Sequence, residues 1–256
     1  MKVFATLTAW QEYRSSLDAA ETGHSIGLVP TMGALHAGHL ALVRQCREEN
    51  SCTVVSIFVN PTQFNQAEDL AAYPRDTDQD LAILQLHKVD AVFMPGYQDL
   101  YPDAYRYRVS ESVLSQRFCG AHRPGRFDGV LTVVMKLLNI VRPDRAYFGE
   151  KDFQQLQLVR DMVTAFFLPV KIHSVPIVRE ADGLAMSSRN QRLDVAQRKK
   201  AGALYRALKN KTSALQVRLE LEQAGFDVDY VEDFNGHRLA AASLGTTRLI
   251  DNVPLD

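Results

Sequence analysis

The chain has 256 residues, 46% of them hydrophobic and 23% charged, enough to bury one large core or two unequal ones. With 14 Gly and 10 Pro it is neither collagen-like nor of low complexity. Its 29 Lys+Arg against 30 Asp+Glu leave a formal net charge of -1, which excludes a polybasic chain held to nucleic acid by bulk charge. Cys46, Cys52 and Cys119 form no CxxC pair and suit reduced thiols in a cytoplasmic protein. The segment after Met1, with Trp10, Glu12 and Arg14, lacks the apolar centre of a signal peptide, and no apolar run is long enough to span a bilayer. A soluble intracellular protein, with no membrane partner, is the expectation.

In chain order, residues 25–30 (SIGLVP) read as a buried strand ended by proline, after which Leu40, Val43 and Cys46 recur at helical spacing. Residues 53–59 (TVVSIFV), rich in β-branched side chains, predict a second buried strand. A helix over 78–87 carries Leu81 and Leu84 on one face, and a strand follows over 90–94. Then come a helix over 130–140, a short strand over 146–148, a helix over 152–166 and a strand over 171–178. This alternation predicts an α/β fold: a Rossmann-like parallel sheet with helices on both faces and ligands at the carboxyl ends of the strands. Past Glu180 the chain is more polar. A basic helix over 198–208, a helix over 215–223 stopped by Gly225 and an alternating strand over 227–231 predict a small C-terminal α+β domain. The boundary falls within 176–180, giving a domain over 1–178 and a small lid domain over 179–256, with residues 180–190 as the hinge.

The loops after the strands carry the chemistry-bearing residues. PTMGALHAGH (residues 30–39) follows the first strand and opens a helix. His36 and His39, three apart, share a face at a helix start, where free N–H groups already favour an anion. Neutral imidazoles there donate hydrogen bonds to phosphate oxygens, and Gly38 leaves room for a nucleotide. No third His, Cys or carboxylate stands at metal-ligand spacing. Asn60 and Gln63 of NPTQF offer uncharged hydrogen bonds at the next strand end. In FGEKDFQQ (residues 148–155), Lys151 sits at a helix N-terminus, a place suited to holding a phosphate rather than to balancing the helix dipole. MSSRN (residues 186–190) puts two hydroxyls and a guanidinium in the hinge, the makings of a phosphate clamp.

The PTMGALHAGH segment resembles the HIGH-type signature of nucleotidyl transferases and class I synthetases, and in its longer form resembles the pantothenate synthetases (pantoate–β-alanine ligases). NPTQF, YPR (residues 73–75), KLLNIVRP (136–143), FGEKDFQQL, SSRN and GTTRLIDN (245–252) match that family's pattern in order, so the resemblance runs over nearly the whole chain. Two features depart from it. Arg126 stands in RPGRFDGV where the family's pattern has histidine; it is longer and always charged, so it is not a neutral replacement. The stretch between Asp233 and Leu244 is shorter than the family pattern.

The resemblance implies an AMP-forming carbon–nitrogen ligase. Pantoate and ATP give a pantoyl adenylate and pyrophosphate, and β-alanine then displaces AMP to give pantothenate. It implies His39, His36 and Lys151 as catalytic residues. It implies a nucleotide site of Met32, Gly33, Ala34, Leu35, His36, Ala37, Gly38, His39, Gly149, Glu150, Lys151, Asp152, Val178, Met186, Ser187, Ser188 and Arg189. Gln63, Gln155 and Asn60 are implied for the substrates. Mg²⁺ is expected with the ATP, carried mostly by phosphates and water, with Asp78 and Asp80 as the acidic candidates. A homodimer is implied, with 53–64 as the contact, and no nucleic-acid partner. The rival readings are another HIGH-type nucleotidylyltransferase, which needs HxGH but not the two glutamines, and a non-catalytic nucleotide-binding relic.

Overall fold

The computed structural model describes residues 1–19 and 24–255. Six parallel strands form one sheet: β1 (Lys2–Phe4), β2 (Ile26–Thr31), β3 (Cys52–Ile57), β4 (Ala91–Phe93), β5 (Arg145–Gly149) and β6 (Lys171–Val175), in the order β1-β4-β3-β2-β5-β6. Helices α1 (Leu7–Ala19), α2 (Ala37–Glu49), α3 (Ala67–Ala71), α4 (Thr77–Leu86), α5 (Tyr97–Leu100), α6 (Cys119–His122), α7 (Arg126–Val141) and α8 (Phe153–Ala165) fill the connections. Strand β3 is buried along its whole length and β2 nearly so, which is why both read as continuous apolar runs rather than alternating ones. The central position of β3 also removes it from the surface, so the strand part of the expected dimer contact at 53–64 has no exposed face to offer.

The first strand and helix carry little signal in the sequence for a physical reason. Among the described side chains of helix α1 Trp10 alone is fully buried, and the helix has no aliphatic stripe. It is fastened by aromatic packing of Phe4, Trp10, Tyr13 and Phe93, and by the Trp10 indole donating to the Ile140 carbonyl at 3.0 Å. Strand β6 stops at Val175, before Pro176, which has no N–H to extend a ladder.

Helices α9 (Val195–Ala201), α10 (Ala203–Leu208) and α11 (Ala214–Gln223) pack on an antiparallel sheet of β7 (Asp227–Phe234), β8 (His237–Leu244) and β9 (Thr247–Pro254). The single basic helix expected over 198–208 is two helices that meet at Gly202. Strand β7 alternates in sequence, yet both faces of this sheet are covered. Tyr230, Leu239 and Ala241 join the core of the large domain, whereas Ala240, Ala242, Leu244 and Leu249 pack with Leu204, Leu208, Val217 and Leu221. The C-terminal sheet is thereby wedged against the large domain beside the carboxyl ends of its strands.

Candidate active site

The chain runs from β2 outward through β3 to β4, then returns to β5 on the other side of β2, so the order in which strands are added reverses between β2 and β5. These two strands pair only at Gly27↔Arg145 and Leu28↔Ala146, then part before reaching their carboxyl ends. The opening is the crevice expected at a topological switch point. It widens into a cavity of about 740 Å³.

One wall is the loop after β2. Ala34 has a left-handed backbone, φ 50°, an unfavourable state for a residue with a Cβ. Asp80 of α4, itself buried, holds it there: its carboxylate accepts the Ala34 and Leu35 N–H groups, both at 2.8 Å. Burial raises the Asp80 pKa despite those two bonds, and both carboxylate oxygens are engaged by backbone. His36 caps α2, its Nδ1 accepting the Gly38 N–H at 3.1 Å, and His39 Nδ1 accepts the His36 N–H at 3.4 Å. With both Nδ1 atoms acting as acceptors, each neutral ring carries its proton on Nε2. The rings lie 4.1 Å apart. Burial and then Lys151 push His36 down to about 4, and burial and then His36 push His39 down to about 3. Both rings are therefore neutral donors at physiological pH. A Cβ on Gly38 would lie 2.8 Å from His36 Cε1, so the ring packs directly on the glycine backbone.

The turn after β3 carries Gln63. Asn60 donates to Gln63 Oε1 at 3.2 Å and to the Gly129 carbonyl of α7 at 3.1 Å, and accepts from Thr62 and Tyr101 at 3.0 and 2.8 Å. Its amide is thus used up in fixing the turn. Asn60 borders the cavity beside Gln63, with its amide bonded to the turn and to α7. Gln63 Nε2 lies 3.2 Å from Met32 Sδ, at the cavity wall.

The turn after β5 brings Gly149, Lys151, Asp152 and Gln155 to the cavity. Lys151 Nζ is 3.6 Å from Asp152. Burial opposes ionisation of Asp152, but Lys151, Arg126 and Arg189 outweigh it and hold the carboxyl below its usual range. This turn is pinned from the C-terminal sheet: Asn252 of β9 donates to the Glu150 and Lys151 carbonyls at 2.8 and 3.2 Å. The neighbouring Asp251 takes Arg179, in the connection after β6, in two bonds of 2.6 and 3.0 Å.

The Ser-Ser-Arg turn closes the third side. Ser187 accepts the Arg189 N–H, and the buried Ser188 hydroxyl donates to the Ala34 carbonyl at 3.1 Å, tying this turn to the loop after β2. Asp69 of α3 accepts Arg189 at 2.9 Å and Arg192 at 2.7 Å, and Arg123 lies 3.6 Å away. Asp69, Arg192 and Arg123 had no signal in the sequence. Asp69 is one acid in a polar run, and only the fold sets it against three guanidinium groups.

Of the expected site residues, Met32, His36, Gly38, His39, Asn60, Gln63, Gly149, Lys151, Asp152, Gln155, Val178, Met186, Ser187, Ser188 and Arg189 border this one cavity. Gly33, Ala34, Leu35, Ala37 and Glu150 lie in the same turns without lining it. Six lining side chains are cationic (Arg123, Arg126, Lys151, Arg189, Arg192, Arg248) and four anionic (Glu68, Asp69, Asp152, Asp229), so the cavity favours anions. Arg126 is 8% exposed, with Nη2 3.8 Å from Asp152; its Nε and Nη1 have no partner among the described residues.

The residues do not form a cage for Mg²⁺. Among the described residues no three His, Cys, Asp or Glu side chains cluster as metal ligands, and Asp80 is occupied by the backbone of the loop it holds.

Residues 2–254 match the family model described as pantoate-beta-alanine ligase. The chain belongs to the pantoate-beta-alanine ligase family. It is 57% identical over 231 residues to a pantothenate synthetase of Bdellovibrio bacteriovorus, covering 90% of this chain and 92% of that protein. It is 47% identical over 252 residues to one of Legionella pneumophila, covering 98% and 99%, so these two chains are of nearly equal length. The family's fold is also this chain's fold. A Francisella tularensis pantoate-beta-alanine ligase, solved with beta-gamma ATP and beta-alanine, superposes with a TM-score of 0.94 at 37% identity, covering 99% of this chain and 97% of that one. A Thermus thermophilus pantothenate synthetase superposes with a TM-score of 0.88 at 42% identity, covering 99% of each. Among the described residues no helix is long and apolar enough to cross a membrane.

Proposed function

We propose that this cavity adenylates pantoate with ATP and passes the pantoyl group to β-alanine, releasing pyrophosphate and AMP. The observation that carries the reading is the pair of neutral Nε2 donors of His36 and His39 at the α2 N-terminus, beside Lys151 and bordering the same cavity as Gln63 and Gln155. Family membership and the nucleotide and β-alanine in the Francisella relative support it.

In the first step a pantoate carboxylate oxygen bonds to the α-phosphorus as the bond to pyrophosphate breaks. Charge grows on the α-phosphate oxygens, where donors already in place stabilise it without reorganising. His36 and His39 take that part because they stay neutral and keep their Nε2 protons. Lys151, Ser187 and Arg189 hold the leaving pyrophosphate on the turn that Ser188 ties to Ala34, and Gln63 and Gln155 orient pantoate. In the second step the neutral amine of β-alanine bonds to the acyl carbon, AMP leaves with the bridging oxygen, and the nitrogen loses a proton. Mg²⁺ travels on the phosphates of ATP in this reading, and no step is assigned to it. A cytoplasmic homodimer completes the reading; the three cysteines are all free and buried, as suits a reducing compartment.

The test is product formation from ATP with the acids and amines varied one at a time. AMP and pantothenate appear only when pantoate and β-alanine are both present. Pyrophosphate release driven equally well by other acids, or by none, contradicts the reading.

A further inference from the structure

Arg126 is an ionised side chain without adequate compensation. It is 8% exposed; among the described residues its only ion-pair partner is Asp152 at 3.8 Å, and its Nε and Nη1 are buried with no acceptor. A buried charge in that state is costly, and the cost is removed when an anion supplies the missing acceptors. Nearby, Arg248 bonds Asp229 at 2.6 Å yet also leaves Nη2 without an acceptor. Arg126 borders both the main cavity and a side recess of about 20 Å³, shared with Lys151, Gln155 and Tyr230. That recess has room for a group the size of a water or a single oxygen, not for a phosphate chain.

We propose that Arg126 is the receptor for the carboxylate of the amine substrate, an ω-amino acid, and so sets the specificity of the second step. The proposal rests on the function proposed above. Three anions enter that reaction. The triphosphate is served by the histidine pair, Lys151 and the Ser187–Ser188–Arg189 turn. The pantoate carboxylate has to remain free to attack phosphorus, and a tight guanidinium contact would blunt its nucleophilicity. The carboxylate of β-alanine does not react, and it needs a counter-ion that leaves the amine neutral and mobile. Arginine suits this task better than histidine would, because it is charged at every working pH and planar toward a carboxylate.

The test separates the two half-reactions in the full chain. Pantoate-dependent ATP–pyrophosphate exchange reports the first without any amine, and pantothenate formation reports the second. In Arg126→Met the KM for β-alanine rises about 30-fold or more, the loss of a charged hydrogen bond, while the KM for pantoate in exchange moves less than about threefold. Arg126→Lys restores part of the β-alanine affinity. The wild-type enzyme also prefers β-alanine to propylamine, which has the amine and no carboxylate, and Arg126→Met abolishes that preference. An unchanged β-alanine KM in Arg126→Met, or a rise in the ATP or pantoate KM instead, overturns the proposal. Should that variant fail to fold, equal use of propylamine and β-alanine by the wild type overturns it too. Absence of pantoate-dependent exchange in the wild type removes the function on which the proposal rests, and is distinguishable because it needs no variant.

Discussion

His36 and His39 each use Nδ1 to accept a backbone N–H, and this arrangement fixes which proton each ring presents to the cavity. In the proposed reaction, replacing His39 with alanine removes one donor from the growing phosphate charge. His39→Ala is expected to keep the far-ultraviolet spectrum of the fold and to slow pantoate-dependent pyrophosphate exchange about a hundredfold or more. Near-normal exchange would assign the role elsewhere. The lowered pKa values carry a second consequence. Between about pH 6.5 and 4 the unfolded chain protonates both imidazoles while the folded chain does not, so the unfolded state binds more protons and stability falls as the pH is lowered. The unfolding temperature is expected to drop across that window, and less steeply in the His36→Gln, His39→Gln double variant. An identical slope in both proteins would mean that the rings are not held neutral.

At the scale of elements, Gly129 in the first turns of α7 shows how closely the turn carrying Gln63 is seated. A Cβ there would come within 2.3 Å of the Thr62 carbonyl oxygen and 2.7 Å of the Gln63 nitrogen, both backbone atoms. Alanine favours a helix over glycine by about 1 kcal/mol, but overpacking against rigid backbone costs about 1–3 kcal/mol, so the clash wins. Gly129→Ala is expected to lower the unfolding temperature and raise the KM for pantoate severalfold, measured by thermal denaturation and exchange kinetics. A raised unfolding temperature would contradict this packing. The elements most legible in the sequence are those whose residues face one environment throughout. Strands β2 and β3 are buried on both faces, and α2 and α7 carry their own caps or apolar stripes. The motifs after β2, β3 and β5 were legible because strand ends are where such a fold binds ligands. Illegible were contacts between distant segments: Asp80 holding Ala34, Asp69 gathering Arg189 and Arg192, and Asn60 turned inward to Gly129. Each is an ordinary polar residue in sequence, given its task only by what the fold sets against it.

At the scale of the whole molecule, the C-terminal sheet does more than cover the cavity. Through β9 it sends Arg248 to the cavity wall, Asp251 to Arg179 in the connection after β6 and Asn252 to the turn bearing Lys151. Asp69 and Ser188 latch the Ser-Ser-Arg turn from the large domain. Groups meant to meet one substrate are thus braced from both sides of the cavity, and near-neutral overall charge coexists with a cationic interior. The central claim is that the carboxylate of pantoate itself attacks the α-phosphorus within this cavity. Its most direct test is a single turnover with pantoate labelled with oxygen-18 in the carboxylate, followed by mass analysis of the nucleotide. One labelled oxygen in AMP is predicted, because AMP leaves with the oxygen that bridged acyl carbon and phosphorus. Unlabelled AMP, with the label in inorganic phosphate or retained wholly in the acyl product, would contradict the account.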